Sequence, residues 1–457
     1  MVSVKDVIRL GSGSGFWGDA ADPAMELLES GNLDYLCFDF LAELTMALLE
    51  RQRRKDSTLG YVPDAVDMMV AMMATARAKG TRLISNGGGV NPRAAAEQIA
   101  VAARARGLTG LKIAAVDGDS VVDRIDEFLG KGITLAHFET GEDGLGQHRN
   151  AVVAASAYAD CSGIVRALDA GADIVITGRV SDSAPYVGAL MHEFGWRFDA
   201  AHADRIAASI TIGHLMECAS GCTGGMSSRW NEMPNMGRVG FPFAEFHRDG
   251  TAVVTKLPGT GGRVDQFTVK EHLLYEVGDP SNYIMPDGVA DFTTMKLEEV
   301  GPDRVRLSNM SGRPRTDTLK LVIGYNDGWI GEGILFFPWP DALGRARKAR
   351  ETLLERFERL DLKSDEIHFE FIGVNMLHGP AAPVPDYDLN EVGLRVAVRT
   401  RTREEAEKVR RACANLWIMG PGGTSFGAPL KPRPVVSAWP TLIPRELIPQ
   451  HVTMMEA

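Results

Sequence analysis

The sequence predicts an α/β protein. A largely parallel, doubly wound sheet should occupy a large amino-terminal domain, followed by an α+β region and a small carboxy-terminal domain. Three observations predict this. Up to about residue 220, short apolar runs alternate with helical patterns, as in βα units under a parallel sheet. After Cys222, turns rich in Gly and Pro separate strand-like runs and helices become rarer. With 457 residues the chain exceeds one ordinary core. The segments divide as 1–225, 226–360 and 361–457.

In the first segment the expected strands are Val7–Gly11, Tyr35–Phe38, Arg82–Ser85, Leu111–Ala115, Thr134–Phe138 and Asp173–Thr177. Helical periodicity is clearest at Pro92–Arg106 and Ala151–Ala170. An open sheet is preferred to an eight-stranded barrel, because only about six strands are secure. Asp22 before Pro23 and Asn91 before Pro92 each read as an N-cap followed by proline at the first helical position. The second segment gives strands at Thr251–Leu257, Arg304–Met310 and Thr318–Tyr325, then a charged helix at Ala342–Leu360. The last gives strands Glu366–Gly373 and Gly393–Arg399 and a helix Arg403–Trp417, opened by the Thr402/Glu405 capping box. A Pro-rich tail should then run extended over the surface.

The composition is 45% hydrophobic and 24% charged, as in a soluble globular protein, and the net charge is −11. That balance argues against a nucleic-acid binder, which needs a basic face. The basic run Arg51–Lys55 reads instead as a solvated helix end. No stretch approaches a membrane span. Five scattered cysteines suit reduced thiols in a cytoplasm better than a disulfide framework.

In an open parallel sheet, ligands bind beyond the carboxyl ends of the strands. The first such loop, GSGSGFWGD, contains a G-x-G-x-x-G pattern at Gly13, Gly15 and Gly18. A dinucleotide fingerprint opens its helix within that pattern, whereas here Gly18 lies four residues before Asp22. NAD(P) is therefore not expected. Gly15, Phe16 and Trp17 read as a ligand loop with backbone donors and aromatic surface. Asn86, Gly87, Gly88 and Gly89 either cradle an anion or simply form a turn before the Asn91 cap. Arg179 can fork onto a carboxylate or phosphate, while Ser181 or Asp182 would cap the next helix and Ser183 follows. Its alternative partner is an acid such as Asp39 or Glu139.

Asp39 and Glu43 share one face if their helix has begun by Asp39. They would then bind a divalent cation or act as acid and base, or else merely complement the helix dipole. His137 and Glu139 end the expected fifth strand. His214, Glu217, Cys218 and Cys222 are spaced to meet on one helical face, yet buried His and Cys are the commoner outcome than zinc. Glu217, if buried, would carry a raised pKa. The Gly420–Gly427 loop and its continuation to Pro429 form either a C-cap or a flap whose Ser425 reaches a ligand.

Several stretches together resemble the acyclic terpene utilization (AtuA) family: GFWGD, Asp34–Ala47, SNGGGVNP, Ala172–Ala184, Gly213–Gly225, Gly240–Glu245 and Asp279–Phe292. The resemblance implies a large α/β domain and a small ferredoxin-like carboxy-terminal domain. It also implies a setting in bacterial catabolism of branched or terpenoid carboxylates through acyl-CoA esters. The expected function is a hydro-lyase (hydratase or dehydratase) acting on a small branched carboxylate or its acyl-CoA ester. Asp39, Glu43 and Glu217 would be its catalytic groups. Gly15, Phe16, Trp17, Asn86, Gly87, Gly88, Gly89, Arg179, Asp182, Ser183 and His214 would hold the ligand. No cofactor is required, although a divalent cation is compatible with the carboxylates. A homo-oligomer free of nucleic acid and membrane is expected. The alternative is a non-catalytic scaffold subunit of a catabolic complex.

Overall fold

The computed structural model describes residues 5–427 and 430–457. The chain runs through β1 (Val7–Ser14), α1 (Asp22–Ser30), β2 (Tyr35–Phe38), α2 (Glu43–Lys55), α3 (Pro63–Lys79) and β3 (Arg82–Ser85). Next come α4 (Pro92–Ala105), β4 (Lys112–Asp117), α5 (Ile125–Gly130), β5 (Val152–Ala157), α6 (Ser162–Asp169) and β6 (Ile174–Thr177). Two further helices, α7 (Ala184–Phe194) and α8 (Ala203–Glu217), precede β7 (Pro242–His247), β8 (Ala252–Lys256) and α9 (Gln266–Leu274). Short strands then follow: β9 (Tyr283–Met285), β10 (Gly288–Asp291), β11 (Lys296–Gly301), β12 (Arg304–Ser308) and β13 (Ser311–Arg313). The remainder is β14 (Thr318–Pro338), α10 (Ala342–Arg359), β15 (Glu366–Ile372), β16 (Glu391–Thr400), α11 (Arg403–Met419), β17 (Ser425–Phe426), β18 (Arg433–Pro444) and β19 (His451–Glu456).

Among the described residues a ten-stranded sheet runs β11-β12-β8-β7-β1-β2-β3-β6-β4-β19. Its middle, from β1 to β4, is parallel. The strands β7, β8, β12 and β11 extend one side antiparallel, and β19 closes the other side antiparallel to β4. The protein is thus a mixed α/β protein, with open sheets and no barrel among the described residues.

Alternation along each strand sends its residues to two faces. On one face Ile8, Leu10, Cys37, Ile84 and Val175 pack with Ile164, Val187 and Ile212 from α6, α7 and α8. On the other, Leu36, Phe38, Leu83 and Ile176 pack with Leu27, Leu49, Met69 and Ile99 from α1 to α4. Each such side chain contributes roughly 1.5–3 kcal/mol relative to exposure, against about 0–1 kcal/mol for a surface ion pair. The two apolar layers therefore hold the sheet.

The chain divides into two compact units, Met1–Gly324 with Ala438–Ala457, and Tyr325–Ser437. The division falls within β14. In the smaller unit the strands lie in the order β15-β16-β14-β17. Leu353, Phe357, Val409 and Leu416 of α10 and α11 pack on Leu335, Phe337, Leu394 and Val396. Gly420 closes α11, its N–H donating to the Leu416 carbonyl. Ser425 lies opposite Phe336 in β17. Ala428 and Pro429, the end of the expected loop, lie outside the described residues.

Five local expectations are corrected. Thr134–Phe138, with His137, is not a strand, and Glu139 follows in a turn. The strand is β5, inside the expected Ala151–Ala170 helix, which shrinks to α6. VVAASA is a short buried run, and periodicity alone cannot separate strand from helix in such a run. The first strand continues through GSGS to Ser14, and glycine at position 13 leaves room for the Phe38 ring, 2.4 Å from where a Cβ would lie. Asp22 is not the cap of α1 but its first residue, after Ala21, which makes no side-chain cap bond. The Pro-rich tail is extended in β18 but not wholly on the surface, with Trp439 buried and its Nε1–H donating to the Leu135 carbonyl at 2.8 Å; β19 follows it.

Candidate functional site

A cavity of about 600 Å³ opens in the large unit. Gly15, Asp39, Arg179 and Asp182 enter its wall from just beyond the carboxyl ends of β1, β2 and β6. Glu43 joins them from the start of α2, and Glu217 from the end of α8. Gly15 makes the meeting of strand and helix geometrically feasible. A Cβ there would stand 2.9 Å from the backbone of Cys218, so only glycine lets the end of α8 approach β1.

Asp39 precedes α2 rather than lying on it, so it does not share a helical face with Glu43. Its Oδ1 accepts from Asn86 Nδ2 at 2.5 Å and from the Leu41 N–H at 3.1 Å. Burial drives this carboxyl up to about 7, and the Asp182 charge adds to the rise. Arg179 and the Asn86 bond pull the other way. Glu217 is 4% exposed, and burial raises it well above the carboxylate range, helped by Asp182 and Asp39. Its Oε1 accepts from Tyr275 Oη at 3.3 Å. Burial opposes charge on Glu43 as well, but the Tyr158 hydroxyl, its own N–H and Lys320 hold it down at about 2. The cavity therefore sets one acid held neutral, one ionising near neutrality and one fixed as carboxylate side by side.

Arg179 is 3% exposed. Its Nη1 donates to the Leu41 carbonyl at 2.9 Å and to Asp182 Oδ1 at 2.7 Å. The guanidinium lies over the Tyr158 ring, 4.0 Å from the centroid. Its Nε has no hydrogen-bond partner among the described residues. Burial works against its charge, which Asp182, Tyr158 and Asp39 hold in place. Asp182 is thus the ion-pair partner, in place of Glu139. Neither Ser181 nor Asp182 caps α7: Ser181 Oγ donates to Asp287 Oδ2 at 2.8 Å, and Ser183 stands at the cap without a side-chain bond.

Other expected ligand contacts lie off the wall. Asn86 stands behind Asp39, its Oδ1 accepting from the Phe40 N–H. Gly87, Gly88 and Gly89 lie off the cavity wall and are tightly packed. Two of their N–H groups are already used, by Ser85 Oγ and by the Asn86 carbonyl. A Cβ at Gly88 would lie 2.6 Å from the Thr177 carbonyl. The Asn91 cap holds, accepting from the Ala94 N–H. Phe16 is 59% exposed, and Trp17 packs against the core beneath α1. Ser183 is buried against Gly213, where α7 meets α8. His214 is buried behind Glu217, 3.8 Å from its Oε1. Cys222 sits in the hydrophobic core, and the Cys218 Sγ pairs with Tyr275 Oη at 2.9 Å.

Sequence reasoning missed Tyr158, Tyr275, Glu276, Tyr283 and Lys320, which complete the wall. Tyr158 directly follows β5, the strand concealed in an expected helix. Lys320 lies in TLKLVIGY, which reads only as a strand, and its Nζ reaches Glu43 Oε1 at 3.1 Å. Among the described residues, no helix is long and apolar enough to cross a membrane. Comparison with curated proteins and with solved structures finds no match. The family model for acyclic terpene utilisation proteins, AtuA, matches residues 8–454, and the chain belongs to that family.

Proposed function

We propose that the cavity is the active site of a hydro-lyase acting on a small branched carboxylate or on the acyl group of its CoA ester. One observation carries this reading. Arg179 lines the cavity as a buried cation, beside carboxyls held in different protonation states. A ligand carboxylate or thioester carbonyl would pair with such a guanidinium. Lys320 adds a second cation on the wall. Met285, Pro286, Leu319 and Leu442 provide an apolar side suited to a hydrocarbon branch, in keeping with a family named for acyclic terpene utilisation.

Loss of water from a β-hydroxy acid takes a proton from the α-carbon and returns one to the departing hydroxyl, leaving a C=C bond and water. Asp39, ionising near neutrality, is the base in this reading. Glu217, kept protonated by burial, is the acid. Glu43 stays ionised and orients Tyr158 and Lys320. We also read the large unit as doubly wound, supported by helices on both sheet faces. The ferredoxin-like reading of the small unit is supported by its strand-helix-strand-strand-helix-strand order.

A thermal-shift screen over branched hydroxy acids, enoic acids and acyl-CoA esters tests the function. We expect saturable stabilisation by one class, about 2.7 kcal/mol at a hundred times Kd, and its loss in Arg179→Lys. Flat melting curves across the whole panel would sink the reading.

A further inference from the structure

We propose that His214, Glu217 and Glu276 form a binding site for one first-row divalent metal ion at the cavity wall. One imidazole nitrogen and one oxygen from each carboxylate all lie within 4.8 Å of one another. Around an ion bound at about 2.1 Å, tetrahedral ligands stand roughly 3.4 Å apart. Closure by up to about 1.4 Å is within reach of Glu276, whose side chain is exposed.

The imidazole is set up as a ligand. A backbone carbonyl can only accept, so the 3.2 Å contact from His214 Nε2 to the Leu273 oxygen places the proton on Nε2. The lone pair of Nδ1 is left facing Glu217 Oε1 at 3.8 Å and the Tyr283 hydroxyl at 3.3 Å. Anchoring one ring nitrogen on a carbonyl fixes the tautomer of a ligating histidine, and a bound ion would take the Nδ1 lone pair from the Tyr283 hydroxyl. Independently, the neighbouring His272 is 3% exposed and its Nε2 has no partner among the described residues. Its ring stacks on His214 at 5.9 Å. Tyr275, Tyr283 and Phe292 pack around the same imidazole at 5.9, 5.0 and 5.7 Å, excluding water from that side. Asp39 and Asp182 are close enough to add negative potential at Glu217.

The donor set selects the ion. One nitrogen and two carboxylate oxygens suit Mn²⁺, Fe²⁺, Co²⁺ or Zn²⁺, whereas Mg²⁺ and Ca²⁺ favour oxygen alone. Three protein ligands leave coordination positions open towards the cavity, the arrangement of a catalytic rather than a structural ion. Ligation would displace the Glu217 proton, so in the metal-bound protein Glu217 would no longer be the acid. The ion would instead hold the departing oxygen, a role that rests on the proposed function. That it binds does not.

The test uses the full chain, stripped with a chelator and titrated with Co²⁺ or with Mg²⁺ in the absence of any organic ligand. The expected result is one Co²⁺ per chain, visible absorption bands of a four- or five-coordinate ion, and Mg²⁺ binding about tenfold weaker or worse. Glu276→Gln, at an exposed position where folding is not at stake, should weaken Co²⁺ binding about tenfold or more. Absence of stoichiometric uptake by the wild type at about 1 mM, or an unchanged affinity in Glu276→Gln, overturns the site. The acid screen, run with and without Co²⁺, reads the proposed function separately. A metal that binds while no acid does rejects the function and keeps the site.

Discussion

Asp39 sits among neighbours that treat its two protonation states differently. Burial and Asp182 favour the neutral form, whereas Arg179, Asn86 and the Leu41 N–H favour the anion. Because burial wins, the folded state holds a proton that the unfolded chain has released, so stability falls as pH rises from about 4 to about 7. Asp39→Asn keeps an oxygen for Asn86 and Leu41 but cannot ionise. In chelator-treated protein it should melt higher than the wild type at pH 8, by a few kcal/mol at most, and equally at pH 4, while turnover is lost. Equal melting at both pH values, or an active variant, would contradict the role given to Asp39. At this scale the sequence displays acids and an arginine after strand ends, which is why Asp39, Glu43, Arg179 and Asp182 are legible, and Glu217 shows as an acid within an apolar helix. It does not display which side chains fold over them. Tyr158 directly follows β5 and Lys320 lies in β14, strands with no polar motif, while Tyr275 and Glu276 come from just beyond α9.

Secondary-structure elements meet around this site through glycines whose purpose the sequence leaves ambiguous. The run Gly87–Gly89 has the composition of an anion loop, yet its contacts are with Ala65, Thr177, Pro92 and Leu49. Composition reveals that backbone must come close to something. Whether that something is a ligand or another strand depends on tertiary packing. Gly88→Ala places a methyl 2.6 Å from one backbone oxygen and 2.8 Å from the Pro92 Cα, neither of which can rotate away. It should therefore lower the melting temperature, at a cost of about 1–3 kcal/mol, whether or not ligand is present. A variant with wild-type melting but weakened acid binding would restore the anion-loop reading. The strands Tyr35–Phe38 and Arg82–Ser85 match their expected bounds, since both are short apolar runs between clear turn signals. β5 escaped because its small, uniformly buried residues fit either period.

Over the whole molecule, the parallel middle of the sheet is legible from βα alternation, while its antiparallel flanks come from segments far along the chain. β19 pairs with β4 from His451 opposite Asp117 to Glu456 opposite Lys112. Gln450 reinforces the join, its Oε1 accepting from the Gly163 N–H at 2.8 Å. Deleting residues 450–457 should bare the β4 edge and produce oligomers by light scattering, because an open strand edge templates pairing with other chains. A monodisperse truncated chain would show that β19 is dispensable there.

The large unit is assembled from two stretches of chain with the small unit's residues between them. On a ribosome β4 emerges long before β19, and at typical synthesis rates the interval is on the order of tens of seconds. The small unit, with its own apolar core, can fold within that interval. The edge that β19 will cover spends it uncovered, so a nascent chain is open to misassociation along β4 until β19 arrives.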